Sequence, residues 1–571
     1  MSLGLCSRLA GSLALGLIFA LGVCAQTLEI TGKDIIPDCP AWVHNAVVYQ
    51  IYPQTFYDSN GDGIGDLPGI IQKLDYVKSL GIDAIWINPF FDSPFNDAGY
   101  DIRDYYKIAP RYGTNDDARR LFAEAHKRGL KVLFDYVISY TAIDNPWFVA
   151  SCEQTPSRTS NWFIWTDNIW KSEFGEGWVH GYGHRNGNFL SNFFWSEPAL
   201  NYGYAQPDPK KPWQLPTNHP DVLALRAEMK KVMRFWLDLG ADGFRADMAS
   251  ALVKGFGDHR ATNEYWHEVR QILRTDYPQA FTVAEWSDPK GALDDAFNAC
   301  FIHWIPSFND LYQKESWRSG NGLSDGHSFF DREGKGDVAR FLRDYTGPYE
   351  ATRAKGYVTI PLGNHDIARI NNHRTVDELE MIMAFGLTMP GVPFIYYGNE
   401  IGMRQLGDNL PQIEGCFKPR AGARTPMQWA AGRNLGFSTA DPSHLYLPVD
   451  PATDAPNVAA QEGDADSLLN RVRRLIALKH AEPALTAYAE FVPLYAKSNA
   501  CPFVYARASG NHVLLVLFNP AAKPADAQFR FPIAYRQLER LAGKEIHFTQ
   551  NGPDLQVELA GGAYAIYRVV K

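Results

Sequence analysis

The sequence predicts an α/β protein: a (β/α)8 barrel with a small inserted domain after its third strand and a C-terminal antiparallel β-sandwich domain. Three observations carry this. From about residue 45 to 435, short apolar runs alternate with amphipathic helical patterns. About eighty residues within 139–219 are rich in Trp, Asn, Gly and Pro and show no long periodic segment. After Pro483 the pattern changes to period-two alternation.

The barrel elements read off in order. Val47–Tyr52, β-branched or aromatic except at Gln50, predicts the first strand. Ile70–Leu80 is amphipathic at helical spacing, and Ala84–Asn88 follows as a strand. Thr114 has the side chain of an N-cap, with Asp116 and Asp117 in the first turn of a helix through Arg128. Gly129 closes that helix, and Lys131–Val137 is the next strand. This alternation predicts parallel strands joined by right-handed crossovers, repeated some eight times. Val222–Leu239 and Leu468–Lys479 read as further helices, the second preceded by an irregular stretch at Leu435–Gln461. Phe503–Tyr505, Val513–Phe518 and Ala563–Val569 read as strands of the terminal module. The divisions are residues 40–138 and 220–480 for the barrel, 139–219 for the insertion and 484–571 for the β domain.

Composition bounds the function. Apolar residues at 46% and charged residues at 21% are the balance of a folded protein. A formal net charge of −9 argues against nucleic acid, which needs a basic footprint. The aromatic content suits a large core and also a sugar cleft, since flat rings pack against pyranose C–H faces. At the N-terminus, Arg8 precedes an apolar run from Leu9 to Val23 and the small-residue site Val23-Cys24-Ala25. This predicts a signal peptide at residues 1–25, cleaved after Ala25, and a protein exported to the periplasm or secreted. No later stretch is long and apolar enough to span a bilayer. Beyond the signal stand Cys39, Cys152, Cys300, Cys416 and Cys501, an odd number without metal spacing. An oxidising compartment leaves room for one or two disulfides, with at least one thiol free.

In a barrel of this kind, polar residues just past strand C-termini line the active site. Four carboxylates end apolar runs: Asp135, Asp247 in Gly243-Phe244-Arg245-Ala246-Asp247, Glu285 in Phe281–Trp286, and Asp366 in Gly363-Asn364-His365-Asp366. Cleaving an acetal needs an acid on the leaving oxygen and a carboxylate at the anomeric carbon, about 5 Å apart in retaining enzymes. Arg245, two residues before Asp247, is expected on the same face and to hold that carboxylate ionised. Glu285, beside Trp286, is the better candidate for a raised pKa and so for the acid.

These runs resemble the α-amylase family, glycoside hydrolase family 13, over nearly the whole chain from Tyr49-Gln50-Ile51-Tyr52-Pro53 onward. Gly243–Asp247 resembles its nucleophile motif, Glu285-Trp286 its acid/base motif, and Asn364-His365-Asp366 with Arg369 its third-carboxylate motif. Gly81–Pro89, Gly391–Met403 and Arg424–Trp429 add matches closer to the oligo-1,6-glucosidase, α-glucosidase and trehalose synthase branch than to endo-acting amylases. The resemblance implies that Asp247 attacks the anomeric carbon, Glu285 protonates the leaving oxygen and then activates water, and Asp366 holds the 2- and 3-hydroxyls. It implies support from Arg245 and His365, stacking by Tyr100, and a grip on the non-reducing end by Asp101 and Arg369. The substrate it implies is a short α-glucoside or maltooligosaccharide.

Asp58-Ser59-Asn60-Gly61-Asp62-Gly63-Ile64-Gly65-Asp66 is a separate signal. Oxygen donors at Asp58, Asn60, Asp62, the Ile64 carbonyl and Asp66, with glycines permitting the turn, resemble most of a calcium loop and predict a structural Ca2+. Two departures from the family pattern stand out. Ser139-Tyr140 replaces the usual Asn-His, whose His touches the sugar 6-hydroxyl, so Tyr140 is a candidate substrate contact. Glu197-Pro198-Ala199-Leu200-Asn201 stands where Gln-Pro-Asp-Leu-Asn is common. The leading expectation is a retaining α-glucosidase. A glucosyltransferase or trehalose-synthase-like isomerase shares the same intermediate, and a catalytically inactive sugar-binding homologue is the non-enzymatic alternative.

Overall fold

The computed structural model describes residues 29–170, 177–255, 259–308, 311, 328–407, 409–416 and 420–571. The expected signal peptide lies outside the described residues. Among the described residues no helix is long and apolar enough to cross a membrane.

Eight parallel strands form the barrel: β1 (Val48–Ile51), β2 (Ala84–Ile87), β3 (Lys131–Val137), β4 (Gly243–Asp247), β5 (Phe281–Glu285), β6 (Ala299–Phe301), β7 (Tyr357–Thr359) and β8 (Phe394–Tyr396). Each pairs with its successor from β1 to β7, β8 pairs with β1, and a bridge between Leu362 and Ile395 closes the ring. The strands are buried on both faces, which is why they read as continuous apolar runs rather than alternating ones. Parity still matters. Val48, Ala84, Trp86, Leu133, Phe281, Val283 and Phe394 pack together as the barrel interior. Their chain neighbours Tyr49, Ile85, Val132 and Phe134 join the large core shared with the surrounding helices.

Following the interior parity toward the strand C-termini leads from this apolar plug to Gln50, Asn88, Asp135, Arg245, Asp247 and Glu285. Period two thus carries the polar groups to one mouth. Gly243 is required where β4 starts: its φ is +144°, and a Cβ there would lie 1.9 Å from the Phe281 carbonyl oxygen.

The helices are α1 (Leu67–Ser79), α2 (Asn115–Lys127), α3 (Pro220–Leu239), α4 (Arg260–Asp276), α5 (Val338–Thr352), α6 (Val376–Thr388) and α7 (Leu468–Ala481), with shorter turns between. Thr114 and Asp117 form a reciprocal capping box at α2, and Thr375 and Glu378 do so at α6. The insertion after β3 holds a short helix, Pro146–Ser151, and a hairpin of Trp178–Val179 with Phe189–Leu190. It packs on its own rings, Phe148 against Phe163, Trp165 and Phe189.

The C-terminal module has strands β9 (Glu490–Tyr495), β10 (Phe503–Ser509), β11 (His512–Asn519), β12 (Ala525–Arg530), β13 (Gln537–Gly543), β14 (His547–Asn551), β15 (Asp554–Leu559) and β16 (Ala563–Val570). A five-stranded antiparallel sheet in the order β9-β10-β11-β16-β13 faces a three-stranded one, β12-β15-β14. Val504, Leu515, Leu517 and Tyr567 pack onto Phe529, Leu555 and Val557 between the sheets. On the opposite face, Phe503, Tyr505, Val516, Phe518 and Ile566 join the barrel core. Buried Arg507 donates to the carbonyls of Thr388, Thr486, Ala489 and Glu490, tying sheet to barrel.

One expectation is corrected. Room was left for disulfides, but Cys39, Cys152, Cys300, Cys416 and Cys501 are all free thiols. Their scatter along the chain persists in the fold: Cys300 sits within β6, Cys152 caps the insertion helix, and Cys416 lies beside Tyr446.

Candidate active site

The polar mouth encloses a cavity of about 230 Å³ whose wall includes Asp247, Glu285 and Asp366, together with Tyr100, Tyr140 and His365. Three carboxylates from distant parts of the chain converge there. Arg245 organises two of them and Asp135. Its Nη1 lies 2.6 Å from Asp247 Oδ1 and 2.8 Å from Asp135 Oδ1, and its Nη2 lies 2.7 Å from Glu285 Oε2. All four side chains are buried, so these ion pairs are poorly screened and each depends on the others.

Glu285 collects further donors. The Met248 N–H reaches its Oε2 at 3.1 Å and Trp304 Nε1 its Oε1 at 3.1 Å, while His303 Nε2 stands 3.5 Å from Oε1. Met248 holds a φ of +41°, uncommon for a residue with a side chain, and Ser287 one of +58°. Strained backbone thus follows each of the two central carboxylates.

The protonation order differs from the expectation. Burial, the largest influence, acts to raise both carboxyls. At Asp247 it prevails over Arg245, with Glu285 and Asp135 adding to it, and the carboxyl stands well above its ordinary range. At Glu285, Arg245 and then His303 outweigh burial and hold it well below. The sequence reading had Arg245 serving Asp247 alone and Trp286 raising Glu285. In the fold the guanidinium forks between both carboxyls, and the Trp286 ring meets His259 edge-on. Bridged by one guanidinium, the two carboxyls titrate as a unit.

Asp366 has a different environment. Arg420 Nη2 lies 2.9 Å and Arg424 Nη2 3.2 Å from its Oδ1. Burial opposes ionisation, but Arg420, His365 and Arg424 hold the carboxyl well below its ordinary value. Its expected companions are corrected here. Asp101 is fully buried behind the wall, accepting from the Ser93 hydroxyl and the Asn96 and Asp97 amides, where it folds the turn. That turn puts Asp97 on the cavity wall instead. Arg369 is also off the wall, its guanidinium 4.8 Å from the centroids of both Tyr396 and Tyr397 and bonded to the Tyr397 carbonyl at 2.7 Å. The cation at the cavity is Arg420, 3.5 Å from Asp97 Oδ1. Burial, only partly offset by Arg420, pushes Asp97 up to about 6.

Tyr140 lines the cavity, and its hydroxyl donates to Asp247 Oδ2 at 3.3 Å. Its backbone bridges to Ala199, so the two sequence departures face one another. Glu197 is fully buried with its Oε2 accepting from the Phe194 N–H at 2.8 Å. Burial and then Asp97 push its carboxyl well up. Phe193, on the same turn, reaches the cavity under the Arg420 guanidinium.

The Asp58–Asp66 loop lies outside this cavity. Asp58 Oδ1 accepts from the Asn60 and Gly61 amides, Asn60 Oδ1 from the Asp62 amide, and Asp62 Oδ1 from the Ile64 amide. Asp66 caps α1 through the Gly69 N–H. The donor set is hard oxygen throughout, the chemistry calcium takes. Among the described residues, no three His, Cys, Asp or Glu side chains gather as a metal-holding group. A cation here would draw on Asn60 and the Ile64 carbonyl as well.

A model of the alpha-amylase catalytic domain matches residues 50–488, most of the chain. The chain belongs to the α-amylase family. It is similar to a glucan 1,6-alpha-glucosidase of Streptococcus pneumoniae, with 31% identity over 88% of this chain and 96% of that protein. It is also similar to a trehalose synthase/amylase of Mycobacterium tuberculosis, with 31% identity over 79% of this chain and 77% of that protein. Its fold is similar to an isomaltulose synthase of Erwinia rhapontici crystallised with D-glucose: TM-score 0.76 and 26% identity, over 94% of this chain and all of that one. This α-amylase-family chain is an enzyme acting on α-glucosides.

Proposed function

We propose that the enzyme is a retaining, exo-acting α-glucosidase that hydrolyses short α-glucosides through a covalent glucosyl-enzyme. The observation that carries this is the single guanidinium of Arg245 touching both Asp247 and Glu285, a close pairing of carboxyls that suits nucleophile and acid rather than two catalysts held apart by a water. Asp247 attacks the anomeric carbon while the bond to the leaving oxygen breaks, and that oxygen takes a proton from Glu285. Glu285 then deprotonates the water that releases glucose. Glu285 must carry the proton when the bond breaks, and a sugar oxygen seated at Glu285 would displace part of its contact with Arg245. Asp366 accepts from the 2- and 3-hydroxyls. Asp97 and Arg420 close the pocket beside it and take the role first assigned to Asp101 and Arg369.

A second reading is glucosyl transfer to another sugar, favoured by the synthase names among its relatives and structural neighbours. Product analysis on maltose, isomaltose, trehalose, sucrose and starch separates the two. Glucose as the main product, first released as the α-anomer, supports retaining hydrolysis. Trehalose, isomeric disaccharides or longer oligomers replace it with transfer, and initial β-glucose overturns retention.

We further infer that Asp58, Asn60, Asp62, Ile64 and Asp66 hold a structural Ca2+ that stiffens the loop before α1 and takes no part in the chemistry. Export follows from the Arg8–Ala25 segment, and N-terminal sequencing of mature protein beginning at Gln26 would support it.

A further inference from the structure

Six buried side chains connect the barrel floor to the cavity, and the direction of every hydrogen bond among them follows from one end. Asp135 Oδ1 takes the Arg245 pair, and its Oδ2 lies 3.2 Å from Trp86 Nε1 and 2.9 Å from the Tyr100 hydroxyl. Burial pushes Asp135 up to about 6, with Arg245 opposing; Arg245, Trp86 Nε1 and the Tyr100 hydroxyl all donate to it, so its carboxylate accepts throughout. The Tyr100 proton therefore points at Asp135. Its oxygen must accept from the other two neighbours, Asn88 Nδ2 at 2.8 Å and His365 Nε2 at 2.7 Å. With Nδ2 so placed, Asn88 Oδ1 turns to Gln50 and accepts from Gln50 Nε2 at 2.8 Å. The same Gln50 nitrogen lies 3.0 Å from His365 Nδ1 and donates its second hydrogen there. A ring nitrogen that accepts carries no proton.

We propose that Gln50 and Asn88 are positioning residues that lock His365 as its neutral Nε2–H tautomer and thereby fix the Tyr100 phenol in the glucoside pocket. Charging the ring would set an Nδ1–H against the Gln50 amide nitrogen, donor against donor. Turning the amide over to relieve this would face its oxygen toward Asn88 Oδ1. The other groups around the ring divide. Asp366 Oδ2, 3.4 Å from Nε2, favours the cation. Burial and the guanidiniums of Arg424, Arg245 and Arg420 disfavour it, and the imidazole is held well below its ordinary range. Tyr100 stacks on the ring within 4° of parallel, Tyr52 covers it at 19°, and Trp86 meets it edge-on. The outcome is a directed donor, Nε2–H, at the cavity wall in a pocket crowded with acceptors.

This inference rests on the proposed reading only in naming the pocket's ligand. The test is nitrogen NMR of the full-length protein labelled with 15N-histidine, the His365 signals being assigned by their loss in His365→Gln. We expect the neutral Nε2–H pattern, unchanged from pH 7 to 9. In Gln50→Glu the new carboxylate demands a proton on Nδ1, and we expect the imidazolium or Nδ1–H pattern at pH 7. With it, kcat/KM on an α-glucoside should fall at least tenfold, mostly through KM. A wild-type His365 that is charged or Nδ1-protonated at pH 7 overturns the proposal without any variant, and so does a Gln50→Glu spectrum identical to wild type. Absence of turnover on every glucoside, with the expected spectra intact, counts against the proposed function and leaves the tautomer lock standing.

Discussion

The phenol of Tyr140 donates to Oδ2 of Asp247 at 3.3 Å, while Arg245 occupies Oδ1 of the same carboxylate. Both oxygens of the proposed nucleophile are thus engaged, one by a side chain that replaces the family's usual histidine. Tyr140→Phe removes a side-chain hydrogen bond to the nucleophile, worth about 1 kcal/mol or roughly fivefold. Steady-state kinetics should show that loss in kcat, with the fold unchanged by circular dichroism. An unchanged kcat would mean that the hydroxyl only fills space.

Asp247→Asn keeps the size of the side chain and removes its nucleophilicity. Turnover should fall by about four orders of magnitude or more, the scale seen when a covalent catalyst is deleted. Thermal melting should stay within a few degrees of wild type. Comparable rates in the two proteins would refute the assignment.

Arg420→Ala deletes one of the two guanidiniums on Asp366 and the cation beside Asp97. Two charge-assisted contacts at about 1.5 kcal/mol each predict a roughly hundredfold fall in kcat/KM. Arg369→Lys, behind the wall, should leave KM within about threefold. The reverse ranking would restore the sequence-based assignment.

His303→Phe tests the control of Glu285. The replacement suits its neighbours Phe301, Trp304 and Phe308. His303 helps hold the Glu285 carboxyl down, after Arg245 and against burial, so its removal raises that carboxyl. The protonated form needed for catalysis then survives to higher pH, and the alkaline limb of the kcat/KM profile moves upward. A limb that stays fixed or moves down would dissociate His303 from the acid.

For the calcium loop, removing divalent ions with chelator should lower Tm, and added Ca2+ should restore it. At a hundredfold excess over Kd the gain is about 2.7 kcal/mol, a shift of several degrees at most for a chain this size. Asp62→Ala should abolish the response without changing kcat. A metal-free protein indifferent to calcium removes the assignment.

Strand Lys131–Val137 was legible to the residue because an apolar run follows a glycine stop, and parity alone then put Asp135 inside the barrel. Asp247 and Glu285 were legible for the same reason. Asp97 lies three residues before Tyr100 in a loop without period, and only the turn built around Asp101 shows which carboxylate faces the cavity. Arg420 had no local signal, since it stands far along the chain from Asp366 and only the fold brings its guanidinium to that carboxylate. The misplaced Arg369 shows the limit of proximity in sequence: three residues past Asp366, it points behind the wall. The proton order was hidden because a guanidinium two residues before one carboxylate can serve another strand's carboxylate equally well.

The five-stranded sheet of the C-terminal module is packed on both sides, one against the three-stranded sheet and the other against the barrel through Tyr505, Phe518 and Arg507. It is a wall of the catalytic body, not an appendage. A chain ended near residue 483 would present a broad apolar scar with unmatched carbonyls at its centre, and would be recovered as aggregate. Trimming this enzyme to a minimal catalytic unit is therefore closed from that end.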